Sequence, residues 1–199
     1  MQIVAGSLLA IHSIAMKMRV KTDRPDAIIA KLKGRSKVEA FEAAKQLWDV
    51  DSNALAKELI AILRSGSRPF HRSAAAYAMQ AVSSADVIFA LERTVRNKSE
   101  NADVRAHAVE ALSHHHSPAS HRLLLENLLD PSKHVRFWCA YALGEMQERQ
   151  AIPALLLLRT DKRIVTSSRT VREEAAHAIR TIERRKSSTR CPYCGRDGR

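Results

Sequence analysis

Aromatic residues, glycine and proline are all scarce in this chain of 199 residues. Aromatic side chains make up 5% of the sequence, and there are only six glycines and six prolines. A β-sheet core depends on aromatic and β-branched residues, whereas alanine and leucine, which dominate the apolar residues here, favour α-helices. The composition therefore predicts an all-α protein whose helices pack closely through small side chains.

Cysteine is also rare, since the chain has three, two of them close together near the C-terminus. Three cysteines cannot form a disulfide framework, so we expect a cytoplasmic protein in a reducing compartment. The N-terminal apolar run of about 16 residues is short for a membrane span, and its positive charge follows the run, unlike a signal peptide. We interpret residues 1–35 as a basic segment with a helix that caps the repeats, unless translation starts at Met16 or Met18 and residues 1–15 are a mis-annotated start.

Acidic residues are too few to balance the basic ones, and the formal net charge is +12. The excess lies at the ends, because residues 1–35 carry +5 and residues 181–199 carry +4, whereas residues 36–180 carry only +3. Basic termini are suited to binding phosphate backbones, so a nucleic-acid-associated adaptor is one alternative function.

The most informative feature that is present is an internal repeat. Small or apolar residues follow an anchor residue at three, six and seven positions, with the weakest copy at the first anchor. The anchors are Ala40, Arg72, Arg105, Arg136 and Arg172. They are spaced 32, 33, 31 and 36 residues apart, and a helical pattern with such a period is typical of an α-solenoid.

Each repeat unit is predicted to contain two helices. The first helix carries the stripe of small residues, and the second is an aliphatic run such as DVIFALERTVRN. We predict about five units over residues 36–183, followed by a basic, flexible tail at residues 184–199. Gly66 and Gly144 are predicted to end helices, and Pro118 is predicted to lie in a turn.

The fourth unit carries the repeat motif most clearly. Its parts are Asp130-Pro131, Val135-Arg136, the ALG of residues 142–144 and the AIPAL of residues 151–155. This motif resembles the HEAT repeat of the variety first described in phycobilisome lyase subunits, and the resemblance extends over residues 36–183. It implies an α-solenoid, but it does not fix the function, because such repeats serve scaffolds, adaptors, chromophore lyases and an iron hydroxylase.

Two enzyme classes share the fold that this resemblance implies. Deoxyhypusine hydroxylase binds two irons through histidine–glutamate pairs, and none of the nine histidines here is followed by glutamate. Chromophore lyases with these repeats have no short diagnostic nucleophile motif, so the resemblance neither supports nor excludes this activity. We therefore expect no catalysis and no required cofactor, and keep a lyase-like or hydroxylase-like enzyme only as an alternative.

The C-terminal tail contains one compact metal-binding motif. Cys191 and Cys194 are spaced to hold one zinc ion, but a closed structural site needs four ligands and the tail supplies two. Zinc would therefore be shared with a partner or with a second chain, which makes a zinc-bridged dimer the alternative to a monomer. An inert tail and a redox role, through the resemblance of CPYC to the glutaredoxin active site, are the other interpretations.

Basic residues near the C-terminal end form a predicted anion-binding region. The stretch TDKRIVTSSRT lengthens the spacing before the fifth unit, and with the tail it supplies six candidate phosphate ligands. They are Lys162, Arg163, Arg169, Arg184, Arg185 and Lys186. The alternative is that these charges serve only solubility.

The second helices provide the predicted surface for a protein partner, because we expect them to line the concave face of the solenoid. Leucines 155–158 cannot all be buried on one side of a helix. Leu157 is therefore either a docking residue or covered by the inserted loop around Ile164 and Val165. We predict a non-catalytic scaffold that binds a partner through Lys57, Arg93, Arg96, Arg122, Leu157 and Arg159.

Overall fold

The computed structural model describes residues 24–49, 52–115, 117–166 and 169–184. The interpretations of residues 1–23 and of the tail residues Arg185, Lys186, Cys191 and Cys194 lie outside these ranges and stay predictions. None of the helices within the ranges is long and apolar enough to cross a membrane.

The described part of the chain is all-helical. The one β-type pairing among the described residues is an antiparallel bridge between Ile164 and Thr170. Ten α-helices follow one another, with short 3-10 turns between some of them. They are α1 Pro25–Leu32, α2 Lys37–Gln46, α3 Ala56–Ser65, α4 Pro69–Ala78, α5 Ala85–Arg96, α6 Ala102–Leu112, α7 Pro118–Asn127, α8 Lys133–Glu145, α9 Ile152–Leu158 and α10 Val171–Arg184.

The five anchors lie on five helices, which form one layer of the molecule. This first layer consists of α2, α4, α6, α8 and α10, and each of these helices packs on the next. The second layer consists of α3, α5, α7 and α9, each packed on a first-layer helix, while α1 packs on α2 ahead of the first pair. The predicted α-solenoid is confirmed: four helix pairs and the first helix of a fifth stack into one continuous core.

Small side chains make the first layer the more closely packed of the two. The stripe alanines of α4, α6 and α8, together with Cys139, are fully buried between neighbouring helices. Helices of the second layer meet one another at far fewer positions. The first layer is thus the more tightly packed, and the expectation that the second helices line the concave face stays a prediction.

Three of the anchor arginines hold their own units together from inside. Arg72, Arg105 and Arg136 donate hydrogen bonds to the carboxylates that close their own units. The guanidinium–carboxylate distances are 2.8 Å to Glu100, 2.6 Å to Asp130 and 2.6 Å to Asp161. Although burial opposes ionisation of Asp161, hydrogen bonds from Arg163 and Arg136 lower the pKa of its carboxyl group to about 2.

Local signals explain most of the helix boundaries, and two of them were misread from the sequence. Gly66 ends α3 as predicted. Gly144, in contrast, lies inside α8 against α10, where a Cβ would come within 2.9 Å of Ala178, and the chain leaves α8 through Gln147 with a φ of 55°. Pro118 does not lie in a turn but begins α7. The missing N–H of proline costs nothing there, because the first N–H groups of a helix have no partner within the helix.

Candidate functional site

A groove of about 630 Å³ lies between the second-layer helices α3 and α5. We call it the α3–α5 groove. Its wall is formed by Lys57, Ile60, Leu63, Arg64, Asp86, Phe89, Ala90, Arg93, Thr94, Asn97 and Glu100. The groove is therefore formed by two consecutive repeats, and it lies where their second helices are separated.

Phe89 is the most prominent apolar residue of the α3–α5 groove. Its side chain is 67% exposed, although α5 buries Val87, Leu91 and Val95 against the core. Position 89 lies on the opposite side of the helix from these core positions, so burying Phe89 would require a further molecule. A large exposed aromatic ring in a groove is characteristic of a docking surface.

The charges around Phe89 are mainly positive. Lys57, Arg64 and Arg93 are exposed and form no ion pair with another described residue. Of the two acidic groups in the wall, Glu100 is already neutralised by Arg72 at 2.8 Å, which leaves Asp86. The groove therefore combines apolar surface with a net positive charge.

The structure brings together two of the six residues predicted to bind a partner. Lys57 and Arg93 both line the groove. Arg96 instead donates to Glu92 on its own helix at 3.3 Å, and Arg122 lies 3.8 Å from Glu126 on α7. Arg159 is exposed directly after α9, so the predicted set is spread along the second layer rather than gathered in one site.

The leucine run of α9 is only half buried. Leu155 and Leu158 belong to the core, whereas Leu156 is 47% and Leu157 is 63% exposed. Ile164 of the inserted loop is itself 63% exposed. The interpretation that this loop covers Leu157 is therefore wrong. The loop is instead joined to α10, whose Val171 and Arg172 N–H groups donate to the Arg163 and Asp161 carbonyls at 3.1 and 2.8 Å.

Two arginines of the predicted anion-binding loop already have carboxylate partners. Arg163 donates to Asp161 at 2.8 Å, and Arg169 donates to the buried Glu174 at 2.7 Å. Lys162 is exposed, and Arg184 is exposed at the last residue of α10. Much of the loop's positive charge is thus balanced internally.

The outward side of the first layer carries a site that the sequence interpretation missed. A cavity of about 260 Å³ lies there, which we call the Trp138 cavity. It is lined by Glu110, His114, Phe137, Trp138, Tyr141, Thr166, Arg169 and Glu174. The sequence did contain a signal for this site, namely the position of the residues in the repeat. Four of the lining residues follow an anchor by two or five positions, where a first helix faces away from the core.

Burial controls the acid–base chemistry of the Trp138 cavity. Desolvation raises the pKa of Glu110 to about 7 and raises the pKa of Glu174 above its ordinary value. Burial also raises the pKa of the Tyr141 phenol. The ring centroids of Trp138 and Tyr141 are 5.5 Å apart at 86°, an edge-to-face arrangement that fixes both rings.

Histidines do not assemble a metal site in the described part of the chain. No group of three or more histidine, cysteine or acidic side chains there could hold a metal ion. His115 Nε2, in the turn after α6, lies 3.0 Å from the Met79 carbonyl oxygen, and His121 Nδ1, on α7, lies 3.2 Å from Glu148. Cys139 is buried in the helix stripe, where desolvation raises the pKa of its thiol.

Comparisons with known proteins agree with this architecture. Residues 95–180 match the family model for HEAT repeats. An X-ray structure of the Escherichia coli protein YibA superposes with a TM-score of 0.67 at 21% sequence identity, covering 94% of this chain and 67% of that chain. No sequence match was found among curated proteins. The described part of the chain is therefore an α-solenoid, and its residues 95–180 are similar to HEAT repeats.

Proposed function

We propose that this protein is a non-catalytic scaffold that holds an acidic, partly apolar segment of a partner protein in the α3–α5 groove. The observation that carries the proposal is the 67% exposure of Phe89 beside three cations that have no ion-pair partner among the described residues. An apolar side chain of the partner would cover Phe89, and its carboxylates would meet Lys57, Arg64 and Arg93.

The two kinds of contact contribute differently to such a complex. Covering the aromatic ring supplies most of the affinity, since buried aromatic anchors dominate binding energies. The cations at the rim contribute mainly specificity and association rate, and their effect weakens as salt increases. Affinity for the partner segment should therefore depend on Phe89 more than on any single cation.

The test begins with a selection of random twelve-residue peptides displayed on phage against the immobilised full-length protein. We expect enriched peptides to combine one large apolar residue with flanking Asp or Glu. Synthetic versions should bind Phe89→Ala at least tenfold and Arg93→Glu at least fivefold more weakly than the parent, measured by fluorescence anisotropy.

The matched control is Arg122→Glu, which makes the same charge change on α7 outside the groove. It should leave the affinity within twofold of the parent. Enrichment of basic peptides, or equal loss of binding in the Arg93 and Arg122 variants, would refute the proposal.

A nucleic-acid-associated adaptor remains the second candidate, and the charge of the chain ends favours it. Residues 1–35 and 181–199 carry +5 and +4. Because Arg163 and Arg169 are matched by carboxylates, such binding would rest on the ends rather than on the inserted loop. A zinc-bridged dimer through Cys191 and Cys194, the phycobilisome-lyase variety of the repeat, a lyase-like activity and a cytoplasmic location stay proposals based on the sequence.

A further inference from the structure

Three first-layer helices converge on the Trp138 cavity, on the layer opposite to the α3–α5 groove. Glu110 comes from α6, Trp138 and Tyr141 come from α8, and Glu174 comes from α10. The cavity thus joins three consecutive repeats, and it combines two carboxyl groups with two aromatic rings. Nothing in the core requires this combination, since the core is already filled by the alanine and leucine stripes.

Glu174 is the residue that points to a ligand. Its side chain is completely buried, and its Oε2 accepts a hydrogen bond from Arg169 at 2.7 Å. Its Oε1 is buried but accepts no hydrogen bond, and its ion-pair contact is with His177 Nδ1, at 3.6 Å. A buried carboxylate oxygen without a hydrogen-bond donor is rare in folded proteins and calls for a partner.

Glu110 supplies a second acidic group without a cation. Its carboxyl group has a side-chain hydrogen bond with Gln80, and no cation of the described residues contributes to its pKa shift. Desolvation opposes its ionisation, as its raised pKa of about 7 reflects. A cation entering the cavity would restore the charge balance that the protein itself leaves incomplete.

The aromatic walls favour the same kind of ligand. The faces of tryptophan and tyrosine rings attract ammonium and guanidinium groups, tryptophan most strongly. Trp138 and Tyr141 are both half-buried and line the cavity, and in their contact the edge of one ring packs on the face of the other. An anion would meet two carboxyl groups, and the cavity's one arginine, Arg169, is already engaged by Glu174.

We propose that the Trp138 cavity binds a basic side chain, an arginine or a lysine, presented by a polypeptide. The incoming group donates hydrogen bonds to Glu174 Oε1 and to the Glu110 carboxylate, and its aliphatic stem packs on Trp138 and Tyr141. This site lies on the first layer and does not depend on the proposed groove. The two surfaces would recognise segments of opposite charge.

The experiment is a titration of ¹⁵N-labelled full-length protein at pH 8 with three blocked pentapeptides, Gly-Gly-Xaa-Gly-Gly. Xaa is arginine, norleucine or glutamate, and the reporter is the indole N–H resonance of Trp138, assigned with a Trp48→Phe variant. We expect the arginine peptide to shift this resonance with a dissociation constant on the order of 1 mM, and to bind at least fivefold more tightly than the other two.

Two substitutions locate the binding. Glu174→Gln and Glu110→Gln should each weaken the arginine peptide at least fivefold, whereas Glu183→Gln, an exposed control on α10, should leave it unchanged. Equal binding of the arginine and norleucine peptides, or no effect of Glu174→Gln in a variant that retains the parent's helical circular dichroism, would overturn the proposal. Spermidine serves as a free cation, and tighter binding of spermidine than of the arginine peptide would rule out a polypeptide as the source.

Discussion

At the scale of single residues, the anchor position of the repeat shows how one residue type serves two environments. Arg136 is 4% exposed and donates to Asp161 and to two backbone carbonyl groups, those of Asp130 and Pro131. Arg172 occupies the same repeat position on α10 but is exposed. The two arginines therefore form a natural comparison between a buried and an exposed charge.

Arg136→Met should lower the free energy of unfolding by about 3 kcal/mol, because it leaves a largely buried carboxylate with fewer donors. Arg172→Met should change it by less than about 0.5 kcal/mol, as expected for an exposed side chain. Urea unfolding followed by circular dichroism measures both values. Equal effects of the two substitutions would show that the buried ion pairs do not hold the units together.

Glu110 is predicted to make stability depend on pH. The folded protein holds its proton more tightly than the unfolded chain, with a pKa of about 7 against the ordinary 4.5. Its contribution to stability is therefore present below about pH 4.5 and is lost as the pH rises through 7. Relative to the parent, Glu110→Gln should gain about 2 kcal/mol in unfolding free energy between pH 5 and pH 8.

Urea unfolding at the two pH values measures this gain, and Glu58→Gln, exposed on α3, is the control. The control should show the same pH dependence as the parent protein. If the Glu110 variant also follows the parent at both pH values, the cavity is more hydrated than its burial indicates.

At the scale of elements, the contact between α8 and α10 depends on a residue without a side chain. A Cβ at position 144 would lie 2.9 Å from both the Cα and the Cβ of Ala178. The sequence showed that a glycine follows the stripe, but a glycine near a helix end usually marks a cap. Whether α8 continues past it depends on how closely α10 approaches, which is a tertiary contact.

Gly144→Ala should therefore destabilise the protein by about 1–2 kcal/mol, since overpacking outweighs the better helix propensity of alanine. Adding Ala178→Gly should relieve the contact, with a coupling of at least about 1 kcal/mol in a double-mutant cycle measured by urea unfolding. Additive effects of the two substitutions would contradict the close approach of the helices.

At the scale of the whole molecule, the sequence predicted the stacking far better than the surfaces. Each unit carries the repeat pattern within its own sequence, so the pattern can be recognised without any tertiary contact. It correctly placed the anchors on successive first-layer helices, as Arg72, Arg105 and Arg136 show. Which residues come together in a site depends on the distances between repeats, and the sequence of a single unit does not reveal those distances. Lys57 and Arg93 meet across α3 and α5, whereas Arg122 and Leu157 do not join them.

We propose the α3–α5 groove as the surface that receives an acidic partner segment. The most direct measurement is a two-dimensional NMR titration of the full-length protein with the tightest peptide from the selection, at physiological salt. We expect chemical shift changes centred on Lys57, Phe89 and Arg93, with the indole resonance of Trp138 unchanged. Changes confined to the first layer or to the chain ends, with Phe89 unaffected, would contradict this proposal.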